Sequence, residues 1–165
     1  MENKERVIKM QVQTETETKT KQETEPRSTR RFYFDTSIWL DFFEDRDEPN
    51  FPKSMWTKQL VSKIIKNNYK IIISDANYRE LNNLGYSRYD LKDLLFPVRD
   101  ILIPRIAETK QIGKAKDLAI KRMIPKQDAL HAILARDNRA ILISLDNHFK
   151  KIIDITIACN PKEFI

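Results

Sequence analysis

Cysteine and glycine are nearly missing from this chain: one and two residues respectively out of 165. With Cys159 alone, no internal disulfide can form, and a cysteine-ligated zinc site is excluded. Two glycines cannot build a glycine-rich phosphate loop, which removes P-loop nucleotide hydrolases and Rossmann dehydrogenases from consideration. The HExxH spacing of a zinc peptidase is absent too. Apolar runs last only a few residues, far short of the roughly 20 needed to cross a bilayer. The chain begins Met1-Glu2-Asn3-Lys4-Glu5-Arg6, charged from the start and without the apolar core of a secretion signal. A cytoplasmic location and no membrane partner are expected.

What is present is a core and a heavily charged surface. Hydrophobic residues make up 41% and charged residues 33%, a balance that excludes collagen-like and wholly disordered chains. Thirty basic residues stand against 24 acidic ones, a net charge of +6. Such an excess attracts phosphate backbones. Residues 11–26 read QVQTETETKTKQETEP, with almost nothing apolar to offset the entropy of ordering. Residues 1–30 are therefore read as a polar, flexible extension, or as an arm that orders on a partner chain or on RNA, and residues 31–165 as the folded domain.

Within that domain, short apolar runs alternate with helical patterns, the signature of an α/β protein with a parallel sheet. Strands are expected at Phe32-Tyr33-Phe34, Ile71-Ile72-Ile73, Ile101-Leu102-Ile103, residues 140–145 and Ile155-Thr156-Ile157. Apolar spacing near 3.6 predicts helices over 56–67, 75–84, 88–95, 107–122 and 126–138. Gly113 weakens the fourth of these, and a helix start is signalled at Asp35-Thr36-Ser37. Right-handed crossovers and two covered faces give a three-layer α/β/α sandwich around a mostly parallel five-stranded sheet.

Two strands end in aspartate, Asp35 and Asp146, and ligands of open parallel sheets bind beyond the carboxyl ends of strands. Each is equally readable as a helix N-cap. Glu80, in the helix after the second strand, and Asp128, opening the helix before the fourth, are two further acids. Ala132 and Ala135 share a face with Asp128 and allow that helix a close approach to the sheet. The two histidines, His131 and His148, have no partner at ligand or triad spacing, and a packing or surface role is the simpler reading of each.

Taken in order, Phe34-Asp35-Thr36-Ser37, Ser74 to Glu80-Leu81, Asp128-Ala129-Leu130-His131-Ala132, Ser144-Leu145-Asp146-Asn147-His148-Phe149 and the ending Cys159-Asn160-Pro161-Lys162-Glu163-Phe164 resemble the PIN domain family, over about residues 32–165. That resemblance implies a metal-dependent nuclease; small prokaryotic members include toxins of the VapC type. Carried over, the acidic set is Asp35, Glu80, Asp128 and Asp146, as catalytic groups and as ligands of Mg²⁺ or Mn²⁺. Hard oxygen donors suit those ions, and crowded carboxylates raise one another's pKa unless a cation holds them. Thr36 and Ser37 match the family's small polar position, and Arg79, Lys126 and His148 are candidate substrate contacts. Arg136, Lys150 and Lys151 are further phosphate candidates; Tyr78, Tyr86 and Phe149 are aromatics that could stack bases.

Residues 1–31 hold eight basic and six acidic residues, which leaves 22 and 18 in the domain. With four acids committed to metal, the remaining basic excess favours RNA. The function expected is a metal-dependent endoribonuclease, with the toxin of a toxin-antitoxin pair and its antitoxin partner as the first setting; an RNA-processing nuclease and a non-catalytic RNA-binding module on the same fold are the alternatives. A homodimer is implied by the resemblance. Trp39, Leu40, Phe42 and Phe43 offer more apolar surface than one helix face hides, and a second copy or an antitoxin peptide is expected over part of it.

Overall fold

The structure is a computed structural model that describes residues 29–165; the reading of residues 1–30 as an extension lies almost wholly outside the described residues. Five strands form one sheet in the order β3-β2-β1-β4-β5, every neighbouring pair parallel. They are β1 (Arg31–Phe34), β2 (Lys70–Ser74), β3 (Leu102–Arg105), β4 (Ile141–Ile143) and β5 (Ala158–Cys159). Six α-helices connect them: α1 (Thr36–Phe43), α2 (Lys53–Lys66), α3 (Asp75–Asn83), α4 (Arg88–Leu95), α5 (Thr109–Arg122) and α6 (Lys126–Asp137). Short 3₁₀ segments lie at Phe96–Ile101, Asn147–Ile152 and Pro161–Phe164.

Strand alternation sends side chains to two separate cores. Tyr33, Ile72 and Leu142 point to one face, where Ala115 of α5 and Ala129, Leu130 and Ile133 of α6 cover them. Phe32, Phe34, Ile71, Ile73 and Ile143 point to the other, beneath Ile38 and Trp39 of α1, Leu60 and Ile64 of α2, and Leu91 and Leu95 of α4. Both faces are thus dry, which is why these strands read as unbroken apolar runs. Helix α3 belongs wholly to neither face. Its Ala76 sits in the first core and its Leu81 in the second, so it straddles the carboxyl edge of the sheet. The order of strands reverses between β1 and β4, and the crevice outside their carboxyl ends is the place where such sheets hold ligands.

Three strand expectations are corrected. Ile101 belongs to the 3₁₀ turn, and β3 continues through Pro104 to Arg105. An edge strand tolerates proline because one side needs no amide donor. β4 stops at Ile143, after which the Ser144 amide donates to the Cys159 carbonyl. The last strand is Ala158–Cys159 rather than 155–157, because the amides of Ile155 and Thr156 turn back to the Ile152 carbonyl.

The apolar surface expected on α1 is packed in part by the chain itself. Trp39 is fully buried, and Leu40, Phe42 and Phe43 are partly buried against the same core. Phe43 stacks on Trp39 with ring centroids 6.0 Å apart and meets Tyr86 at 5.8 Å. The chain covers this surface with its own rings. Asp41, on the same helix, is buried with Oδ1 lacking a hydrogen-bond partner and with Arg46 Nε 3.8 Å away. Burial holds its carboxyl above the ordinary value of 3.8, Arg46 opposing.

Two stability predictions follow from this packing. Gly113 lies inside α5 with open space where a Cβ would stand, so Gly113→Ala should stabilise the protein by about 0.5–1 kcal/mol in urea unfolding. Because the folded Asp41 carboxyl binds its proton more tightly than the unfolded one, its contribution is intact below pH 3.8 and is lost as pH rises through the higher folded value. Asp41→Asn should therefore be more stable than the parent at about pH 7, with the advantage shrinking on acidification; a constant difference across that range would show that the charge is not the cause.

Candidate active site

Asp35 caps α1 from the end of β1: its Oδ1 accepts from the Thr36 amide at 2.7 Å. Its Oδ2 accepts from the Ser37 hydroxyl at 3.0 Å and from the buried Ser144 hydroxyl at 2.8 Å. The amide of Asp35 itself donates to the Ile143 carbonyl, tying the two central strands together at their ends. Asp146 caps the following 3₁₀ turn by accepting from the His148 amide at 2.8 Å. The N-cap readings and the site readings of both aspartates are thus compatible.

Glu80 faces the same crevice from α3. One of its oxygens, Oε2, accepts from the Thr36 hydroxyl and lies 2.6 Å from His131 Nε2. Those contacts close a ring of buried hydrogen bonds. His131 Nδ1 is 2.7 Å from the Tyr33 hydroxyl, which is 2.7 Å from Ser74 Oγ. Ser74 Oγ donates to Asn77 Oδ1 at 3.1 Å, and Asn77 Nδ2 donates to Thr36 Oγ1 at 3.2 Å. Thr36 then returns to Glu80. With His131 doubly protonated every donor in the ring has an acceptor. The charges agree: burial works against the imidazolium, but Glu80 and Asp35 hold His131 above its ordinary value. Burial likewise works to raise Glu80, and the His131 and Thr36 contacts outweigh it and hold it low.

The other two acids are arranged differently. Asp128 Oδ2 lies 2.8 Å from His148 Nδ1, which is also 3.1 Å from Asp146 Oδ1. Among the described residues, Asp128, Asp146 and His148 form a group whose ligand atoms all lie within 4.8 Å of one another. Burial first, then the charges of Asp35 and Asp146, push Asp128 up to about 6, against the pull of His148. A carboxyl raised by its like-charged neighbours marks a place where negative charge is undercompensated, and a hard dication would relieve it. The donors present, carboxylate oxygens with one imidazole, fit Mg²⁺ or Mn²⁺.

Of the positions singled out in sequence, Asp35, Thr36, Glu80, Asp128 and Asp146 come to one end of the sheet, with Ser37 on Asp35. Asp35 and Glu80 do not enter the 4.8 Å group. Arg79 pairs with Asp75 at 3.3 Å, and Lys126 is exposed at the start of α6. Phe149 is core, and the Tyr86 hydroxyl donates to Glu44, so neither is free to stack. Arg136 pairs with its neighbour Asp137, and Lys151 Nζ donates to the Met123 carbonyl. Both histidines have partners, contrary to expectation. His131 is three residues beyond Asp128, a spacing that places both on one helix face, and His148 is two beyond Asp146. Tyr33, Asn77 and Ser144 were missed; only Asn77, at i−3 from Glu80, left a helical signal.

A family model, PIN domain, matches residues 32–154. The chain belongs to the PIN domain family. PIN domains are in general nucleases, and the acidic crevice lies inside the matched span. The fold also matches a solved structure, VapBC2 from Rickettsia felis bound to a DNA fragment from its promoter, with a TM-score of 0.58 and 20% identity, covering 79% of this chain and 98% of that one. No curated protein matches significantly in sequence. Among the described residues, no helix of the PIN domain is long and apolar enough to cross a membrane.

The ring makes Tyr33 testable without disturbing the core shape. Tyr33→Phe leaves buried Ser74 and His131 short of one partner, and should cost about 1–3 kcal/mol in urea unfolding. An unchanged midpoint would mean that water or a rearranged side chain completes the ring.

Proposed function

We propose that this PIN domain is an Mg²⁺- or Mn²⁺-dependent endoribonuclease, restrained in the cell by an antitoxin protein as toxins of the VapC type are. The observation that carries the reading is the convergence of four carboxylates at the reversal point of the sheet, where burial and then the charges of Asp35 and Asp146 push Asp128 up to about 6. A bound dication would supply Lewis acidity, lowering the pKa of water and neutralising charge on the phosphodiester.

Asp128 and Asp146 would hold the ion, with Asp35 and Glu80 ligating directly or through water. The chain's own part is positional. Ser37, Ser144 and the Thr36 amide fix the Asp35 carboxylate, and the ring of hydrogen bonds through His131 fixes Glu80 through Oε2, leaving Oε1 without a hydrogen bond among the described residues. Such outer contacts set ligand geometry and basicity. His148, half-exposed beside both Asp128 and Asp146, would meet the substrate phosphate with Arg79 and Lys126, while Thr36 and Ser37 would act on the substrate through the carboxylates they hold. RNA as the substrate is supported by the basic excess of the domain outside these acids. The nuclease unit is residues 31–165, working in the cytoplasm as a homodimer.

Purified protein should cut a mixed RNA pool with Mg²⁺ or Mn²⁺, leaving 5′-phosphate and 3′-hydroxyl ends, and stop in EDTA. Asp35→Asn should lose roughly a hundredfold or more, at least the upper end of what outer-contact changes cost metal enzymes. Mn²⁺ at about 100 times its Kd should stabilise the wild type by about 2.7 kcal/mol and Asp128→Asn by much less. Equal cutting by Asp35→Asn would trace the activity to a contaminant, and no Mn²⁺ stabilisation would remove the metal site.

A further inference from the structure

Helix α3 separates the acidic crevice from a second concavity. Asn77 and Glu80 face the crevice, whereas Tyr78 and Asn82 line an open groove of about 1100 Å³ against α4 and the edge strand β3. The groove floor is apolar, with Ile73 and Pro104 of the sheet, and its wall carries Arg88, Tyr89, Lys92, Phe96 and Arg99. Among the described residues, no acidic side chain lines it. Tyr89 is 81% exposed and Phe96 58% exposed, and the Arg99 guanidinium lies 3.9 Å from the Phe96 ring centroid. Asp100, beside Arg99 with its carboxylate 3.7 Å from Nε, is the nearest opposing charge on that segment.

The distribution of charge on α4 is lopsided. Arg88 and Lys92 stand four apart on the groove side, while Asp90 and Asp93 line a separate hollow with Glu44. Like charges at i and i+4 repel. Asp90 in the first turn and Lys92 in the last suit the dipole of α4, so what a bound polyanion would relieve is the Arg88–Lys92 repulsion. Exposed rings interleaved with cations are what unpaired bases and their phosphates engage, whereas the bases of a duplex are already stacked and paired.

We propose that this groove binds single-stranded RNA beside the acidic crevice, holding the strand that crosses α3 to reach the carboxylates. A helix is about 10 Å across, so the width of α3 is what the strand has to cross. The proposal rests on the nuclease reading for its substrate and adds where that substrate lies.

Binding is measured with Asp35→Asn protein in EDTA, by fluorescence anisotropy of an end-labelled, mixed-sequence RNA of about 12 nucleotides, single-stranded or annealed to its complement. Lys92→Glu in this background should weaken single-strand binding about tenfold and reduce the log–log salt slope by about 0.7. Tyr89→Ala should weaken it severalfold through lost stacking. Lys116→Glu, the same charge change on exposed α5, should change it little. Both groove positions are exposed, so folding survives their replacement. Equal losses from Lys92→Glu and Lys116→Glu would overturn the proposal, since overall charge would then explain binding. So would duplex binding as tight as single-strand binding. Unchanged RNA binding in the groove variants, with Lys92→Glu instead releasing a labelled acidic leucine-rich helical peptide, would make the groove a protein-docking surface and overturn it too. Because no cutting is read, wild-type protein that binds RNA here yet cleaves none would unseat the nuclease reading and leave the groove assignment standing.

Discussion

Like charges gathered at one end of a sheet have to be held there against their own repulsion. In this domain the ring through Glu80, His131, Tyr33, Ser74, Asn77 and Thr36 holds the Glu80 carboxylate in that way. It begins and ends on a single Glu80 oxygen, so the carboxylate is fixed in direction while its second oxygen stays free. The ring's six members come from five parts of the chain: β1, α1, the end of β2, α3 (which supplies both Asn77 and Glu80) and α6. The ring is therefore also a clamp on the tertiary structure. Breaking any link leaves a buried polar group unpaired, and that asymmetry makes the arrangement specific to one packing of these elements.

The clamp depends on where α3 lies. Had its apolar residues all faced one core, Glu80 would have turned to solvent like most glutamates on an exposed helix. Because Ala76 and Leu81 belong to opposite cores, the helix is pinned across the carboxyl edge, with Asn77 and Glu80 over β1. The capping box at Ser74 and Asn77 fixes its start, and both capping residues are also members of the ring. Local helix initiation and the distant contact with His131 are satisfied by the same atoms.

Most of the fold was legible in the sequence because both faces of the sheet are buried. Phe32 to Phe34, Ile71 to Ile73 and Ile141 to Ile143 could be nothing but central strands, and helical spacing located α2 through α6 to within a few residues. Legibility failed where backbone hydrogen bonds rather than side chains decide the outcome: Ile157 looks like a strand residue but is 67% exposed, since the preceding turn has spent the neighbouring amides on Ile152. The acids were legible because a carboxylate after an apolar strand is conspicuous. Their supports were not. Tyr33 sits in an apolar run and reads as core, His131 sits among alanines and leucines, and no spacing within one element announces a partner 98 residues away in the chain. The contact of Phe43 with Tyr86 was hidden for a similar reason, since Tyr86 lies beyond α3.

The four carboxylates divide into two kinds. Asp35 and Glu80 are met from inside, by hydroxyls, an amide and a charged imidazole, and Glu80 is held below its ordinary range as a result. Asp128 and Asp146 share only the half-exposed His148, and Asp128 is raised to about 6. A carboxylate already satisfied has little to gain from an incoming cation; one that its neighbours destabilise has much. The free energy of holding a dication would thus come chiefly from the Asp128 and Asp146 side, while Asp35 and Glu80 supply geometry that was settled when the domain folded. That division places the adaptable half of the site next to the exposed His148 and the rigid half against the two cores, the order in which a substrate arriving from solvent would meet them.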